Sequence, residues 1–216
     1  MRGGCLDLVT SDPLSKTGFP VETFRKPVSV LFLGLVAATA IFTLPNGHGS
    51  RWHELLEFIG FFLLIIAALG RVWAIVYVGG RKTRELCQRG PYSVTRNPLY
   101  FFSFLGVLGV GLALQNLLLT AVLMTAFLAY YAAVIRSEEK RLRAVHGIKF
   151  EQYARRVPRF WPRWGEYRED EELVVNIKPF RRALFEVFWF LAVIVASDAL
   201  EFLHEKGVWP VWTLPF

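Results

Sequence analysis

A chain of 216 residues that is 54% hydrophobic, with mean hydropathy +0.37, holds too few polar side chains to cover a water-soluble domain of its size. Its net charge of +7 is gathered in short segments between apolar runs, which points to a membrane boundary and away from nucleic acid. Two cysteines, Cys5 and Cys87, form no disulfide framework and stand in no metal-ligand spacing.

Five runs approach the roughly 20 apolar residues needed to cross a bilayer. They are 28–44, 55–78, 99–114, 117–135 and 183–200. Only Gln115 and Asn116 separate the third from the fourth, which predicts a tight helical hairpin, and Gly106, Gly109 and Gly111 suit close helix packing there. Lys and Arg fall on one side of these runs. Four precede the first run, five lie between the second and third (Arg81, Lys82, Arg84, Arg89, Arg96), and thirteen lie in 136–182. The opposite side holds only Arg51 and Lys206, and Arg71 sits inside the second run. The expectation is an all-α integral membrane protein of five transmembrane helices, with the N-terminus cytoplasmic and the C-terminus outside. In a bacterium this is the inner membrane. A soluble bundle, the alternative, needs a polar outer face that this composition does not supply.

In chain order, residues 1–26 lack periodicity and read as a cytoplasmic lead-in, with 27–216 as a single membrane domain. The first apolar run is too long for the core of a cleaved leader, and the final residues are no prenylation signal. The second run continues past Arg71 through Trp73 and Tyr77 to Gly79-Gly80. Arg71 there either snorkels to the surface or contacts a ligand, and Trp73 reads as an interfacial anchor. After the fourth run, residues 139–157 predict an amphipathic helix on the cytoplasmic leaflet. Leu142, Val145, Phe150, Tyr153 and Val157 recur at near-helical spacing among arginines and lysines, and Gly147 weakens the middle. Pro158-Arg159-Phe160-Trp161-Pro162 ends that helix, and the acidic run 169–172 reads as a solvated loop. Glu186 and Asp198, near opposite ends of the fifth run, are expected at the interfaces.

The most informative segment is Gly90-Pro91-Tyr92-Ser93-Val94-Thr95-Arg96-Asn97-Pro98-Leu99-Tyr100. It is polar, turn-rich and basic, yet it lies between two apolar runs. Arg136-Ser137-Glu138-Glu139 then closes the hairpin that follows. Polar groups at such a boundary are costly unless they bind something, so two clusters bracketing one hairpin imply a single site for a polar cofactor. The plainer readings are a snorkelling Arg96 and a surface pair of Arg136 with Glu139, three residues apart on one helix.

Gly90-Pro91-Tyr92 with Arg96-Asn97-Pro98-Leu99-Tyr100 resembles the first motif of the isoprenylcysteine carboxyl methyltransferase family. Glu138-Glu139-x-x-Leu142, Gly147, Tyr153 and Arg156-Val157-Pro158 resemble that family's C-terminal signature. Related phospholipid methyltransferases are similar over the same region, about residues 70–162. The resemblance implies S-adenosylmethionine bound where the second cytoplasmic connection meets the hairpin. By position, Tyr92, Asn97, Pro98, Leu99 and Tyr100 would line the pocket. Arg84, Glu85, Leu86 and Cys87 would add contacts from the preceding segment, and Glu138 would contact the cofactor. Chemically, Arg96 or Arg84 can pair with the cofactor carboxylate, and tyrosine faces can stabilise its sulfonium. A carboxylate acceptor needs a cation to orient it, for which Arg136 is the candidate, although strict family spacing falls on Val134. An ammonium acceptor needs a base, for which Glu138 or Glu139 serves. Asn97 stands where the family most often has histidine; it can hydrogen-bond but not titrate.

The resemblance thus implies a methyltransferase acting on a lipophilic or prenylated acceptor drawn from the bilayer, with a carboxylate favoured and nucleic acid excluded as a partner. A phospholipid amine or a thiol is the alternative acceptor. An NADPH-dependent sterol-type reductase is the alternative from another enzyme class.

Overall fold

The computed structural model describes residues 43–45, 51–79, 85–173, 175–206 and 212–214. All of them lie in one compact unit, Val36–Phe216. The lead-in, nearly all of the first apolar run, and Arg84 fall outside the described residues.

Six helices are described: α1 (Arg51–Val78), the single turn α2 (Pro91–Val94), α3 (Pro98–Ala113), α4 (Leu117–His146), α5 (Ile148–Arg156) and α6 (Ile177–Glu205). A 3-10 turn follows α5 at Trp164–Glu166. Among the described residues the architecture is helical apart from two three-residue strands, β1 (Thr43–Pro45) and β2 (Trp212–Leu214). These pair in parallel with Thr43 opposite Trp212.

Among the described residues, Glu54–Val78 and α4 are long and apolar enough to cross a membrane, and α3 is a shorter apolar helix. α3 packs along α1 through a seam of small residues. A methyl group at Gly60 would come within 2.8 Å of the Gly109 carbonyl oxygen, and one at Gly109 within 2.8 Å of the Gly60 carbonyl oxygen. The Phe102 ring fills the space above Gly70. Backbones can approach this closely only where no Cβ stands between them.

The turn between α3 and α4 puts Gln115 at φ +53°, and its side-chain amide donates to Glu57 of α1 at 3.1 Å. The Asn116 side chain then caps α4, accepting the Leu119 amide at 2.8 Å.

The amphipathic helix expected over 139–157 is corrected by the structure. α4 runs unbroken to His146, and only α5 is a separate amphipathic helix. The break is Gly147, at φ +51°, where a Cβ would touch nothing. Its left-handed backbone, and not crowding, is what calls for glycine. α6 contains the fifth apolar run and packs against α1 and α3.

Candidate functional site

The motif loop is assembled by two prolines and a glycine. Gly90 takes φ +56° with the Tyr77 ring against its Cα, where a side chain would collide. Pro91 opens α2 and Pro98 opens α3, each at a first-turn position that needs no amide donor.

The chain after α5 then returns and laces onto this loop. The Arg96 amide donates to the Pro158 carbonyl at 2.9 Å, the Arg163 amide to Val94 at 2.9 Å, and the Gly90 amide to Arg168 at 2.7 Å. Thr95 donates its hydroxyl to the Phe160 carbonyl at 3.0 Å, and Tyr153 of α5 donates to the Tyr92 carbonyl at 2.7 Å. Residues 90–97 are thereby buried except for Arg96, which is nearly so. Asn97 donates its side-chain amide to the Arg159 carbonyl at 2.9 Å. That bond ties the start of α3 to the returning segment and needs no titratable group, so asparagine serves the position.

Two adjacent carboxylates diverge. Glu139 is 4% exposed. Its Oε2 accepts from Arg159 at 2.9–3.0 Å, and its Oε1 lies 3.3 Å from Arg96 Nε. The latter is a charge contact and not a hydrogen bond, because the N–H does not point at the oxygen. Burial lowers the Arg96 proton affinity, and the Glu139 charge opposes that shift. Arg96 is therefore no snorkelling residue, and the surface pair of Glu139 with Arg136, the plainer alternative, does not form: Glu139 faces inward while Arg136 is exposed.

Glu138 points instead toward α3, where it accepts the Tyr100 hydroxyl at 2.8 Å. Tyr100 packs against Tyr131 of α4, ring centroids 5.1 Å apart. Burial pushes the Tyr92 hydroxyl well above its ordinary pKa, and the nearby Cys87, Glu138, Tyr153 and Tyr100 push it in the same direction. Tyr92, Tyr100, Glu138 and Cys87 therefore share one electrostatic neighbourhood. Leu99 and Cys87 pack on the cluster of Ala74, Tyr77 and Tyr92, Leu86 packs on Phe150 and Tyr153, Pro98 is buried, and Glu85 is exposed. A polar cleft of about 470 Å³ opens beside them, lined by Leu86, Arg89, Ser93 and Arg156 among others. Among the described residues, no three His, Cys, Asp or Glu side chains stand close enough to hold a metal ion.

Several partners carried no signal in the sequence. Arg159 stands twenty positions from the carboxylate it pairs with. Trp73 stacks on Trp164 with ring planes 3° apart and meets Tyr167 at 6.0 Å, so it anchors the returning segment. The acidic run is not wholly solvated: Glu169 accepts from Tyr77 at 3.1 Å and Asp170 pairs with Arg89 at 3.3 Å. Arg71 neither snorkels nor stands alone. It donates from Nε to Glu186 at 3.2 Å and also bonds Ser103, so Glu186 is a helix-to-helix partner and not a free interfacial residue.

Residues 55–149 match the model of the phospholipid methyltransferase family. The cobalt-zinc-cadmium resistance protein CzcN of Cupriavidus metallidurans is 37% identical over 179 residues, covering 81% of this chain and 82% of that protein. The nickel-cobalt-cadmium resistance protein NccN of Alcaligenes xylosoxydans xylosoxydans is 33% identical over 200 residues, covering 90% and 93%. The chain belongs to the phospholipid methyltransferase family. That family includes membrane methyltransferases of the isoprenylcysteine type, so the resemblance read from the two motifs holds at this level. The family match spans the contact of Tyr100 with Glu138 and the Arg71 position, whereas Arg159 and the rest of the returning segment lie beyond it.

Proposed function

We propose that the chain is an S-adenosylmethionine-dependent membrane methyltransferase that modifies a lipophilic acceptor, with a carboxylate as the favoured acceptor group. The observation that carries this reading is the Tyr100 hydroxyl on Glu138, which joins the two motifs of the family resemblance across 38 residues. Family membership and the two membrane-length helices support it at the coarser level of a membrane methyltransferase.

The donor set suits such a cofactor. Glu138 offers a carboxylate to a cationic centre, and the Tyr92 and Tyr100 rings offer π faces beside it. Cys87 and Leu99 pack in the same cluster as Tyr92, Leu86 packs on Tyr153, and Arg84 and Glu85 precede them in sequence. When bound, S-adenosylmethionine supplies an electrophilic methyl group. The chain supplies orientation and exclusion of water, which suffice for an in-line displacement by a carboxylate. Glu139 and Arg96, being paired internally, act by holding the loop in place. In this reading five helices cross the membrane, residues 85–100 and 136–170 face the cytoplasm, and the acceptor arrives sideways from the bilayer. The names of the two relatives attach cobalt, zinc, cadmium and nickel resistance to such chains, and we extend that context to this one.

Calorimetric titration of the purified protein with S-adenosylhomocysteine tests the reading. Micromolar binding that weakens in Tyr100→Phe and Glu138→Gln is expected. A folded protein that ignores S-adenosylhomocysteine and binds NADPH overturns it in favour of a reductase.

A further inference from the structure

The pair of Arg71 with Glu186 lies outside the neighbourhood of Tyr92, Tyr100 and Glu138. Arg71 lies within the helix segment long and apolar enough to cross a membrane, seven residues before its end at Val78. At a helical rise of about 1.5 Å per residue, that is roughly 10 Å below the helix end. Ionisable groups at such depth are retained when they bind or relay something. Its partners come from two other helices, Ser103 on α3 and Glu186 on α6. Ser103 follows Tyr100 by three positions, so the two share one side of α3, with Cβ atoms about 5–6 Å apart. The Arg71 guanidinium therefore stands about one helical turn deeper than the contact of Tyr100 with Glu138, beneath the methyl-transfer site proposed above.

The pair is also asymmetric. The Arg71 side chain is 23% exposed, and the Glu186 side chain 44%. The cation is the inner member, held from two directions, and the carboxylate is the outer member, within reach of a ligand. A carboxylate already occupies the arginine, which demonstrates that the geometry accepts one; a planar guanidinium with several N–H donors suits that group. Arg136, the cation expected from sequence to orient an acceptor, is exposed instead.

We propose that Arg71 is the residue that recognises the acceptor, taking the carboxylate of a single-chain amphiphile in competition with Glu186. This rests on the methyltransferase reading and gives it a depth and a polarity. The anionic head is held within the membrane, its chain runs along the outer helix surfaces, and Glu186 sets how readily the arginine becomes available. Neutral and cationic amphiphiles of equal length gain nothing from the same position.

The test uses the full-length protein in lipid nanodiscs, with radiolabelled dodecanoate as probe and dodecanol and dodecylammonium as comparisons. S-adenosylhomocysteine binding is measured in parallel. The wild type is expected to prefer dodecanoate over dodecanol by about tenfold or more, as one charge-assisted contact implies. Arg71→Gln should abolish that preference. Glu186→Gln should tighten dodecanoate binding by several-fold, because it removes the competitor. The opposite signs separate recognition from a merely structural pair, for which both substitutions weaken binding alike. If Arg71→Gln does not fold, Glu186→Gln decides alone. Equal weakening by both variants, a preference that survives in Arg71→Gln, or a wild type that binds S-adenosylhomocysteine without preferring the carboxylate overturns the proposal. A wild type that prefers dodecanoate yet ignores S-adenosylhomocysteine keeps this site and sinks the cofactor reading.

Discussion

Two regions hold this molecule together by opposite means. Along the α1 and α3 seam, Gly60, Gly70 and Gly109 let helices meet without intervening side chains, and the contact is apolar and close. At the motif loop, residues 90–97 are knotted to 158–168 by backbone hydrogen bonds, a buried carboxylate and two arginines. The seam tolerates no added volume. The knot sets two arginines around one buried carboxylate. Irregular buried backbone such as the motif loop calls for the second kind of construction, because its polar groups must find partners.

The largest effect should come from breaking the knot. Glu139→Ala leaves Arg96 buried without a counter-charge and should cost about 3–5 kcal/mol of stability, read as a lowered thermal midpoint in detergent. A midpoint unchanged from wild type would show that the knot does not limit stability. Next, Gly109→Ala should cost about 1–3 kcal/mol by overpacking the seam. Because the seam lies apart from the residues proposed to hold the cofactor, S-adenosylhomocysteine affinity in the surviving folded protein should stay near wild type. Tyr100→Phe should reverse that pattern, with stability nearly unchanged and S-adenosylhomocysteine affinity reduced about tenfold, or about 1.4 kcal/mol. Trp164→Leu, which removes the stacked partner of Trp73, should cost about 0.5–1.5 kcal/mol of stability.

The smallest effect concerns pH. Burial raises the folded pKa of Tyr92 and Tyr153 above the ordinary value of 10.0. A raised folded pKa gives stability that is complete below the unfolded value and is lost as pH climbs from there toward the folded one. The thermal midpoint should therefore be flat through neutral pH and fall above about pH 10, and Tyr92→Phe should soften that fall.

Much of this was legible in the sequence. Hydropathy located α1, α3 and the start of α4 to within a few residues, because apolar runs bounded by polar turns leave few alternatives. The Gly-Pro-Tyr and Asn-Pro-Leu-Tyr segments and the carboxylates after the hairpin identified the family, since Pro and Gly fix local backbone wherever they stand. The end of α4 was not legible: Gly147 lowers helix propensity, but the turn it makes depends on how α5 docks.

By itself, then, the sequence determined the membrane character, the apolar segments and the two motifs, all of which depend on residue type and local spacing. Only the tertiary structure decided that Glu139 faces inward and Glu138 toward Tyr100, that Asn97 ties α3 to Arg159, and that Arg71 belongs with Glu186. The reason is geometric. Consecutive helical residues point about 100° apart, so neighbours as alike as two glutamates receive different partners from the packing alone. The partners themselves stand 20 to 115 positions away, where no local periodicity reaches.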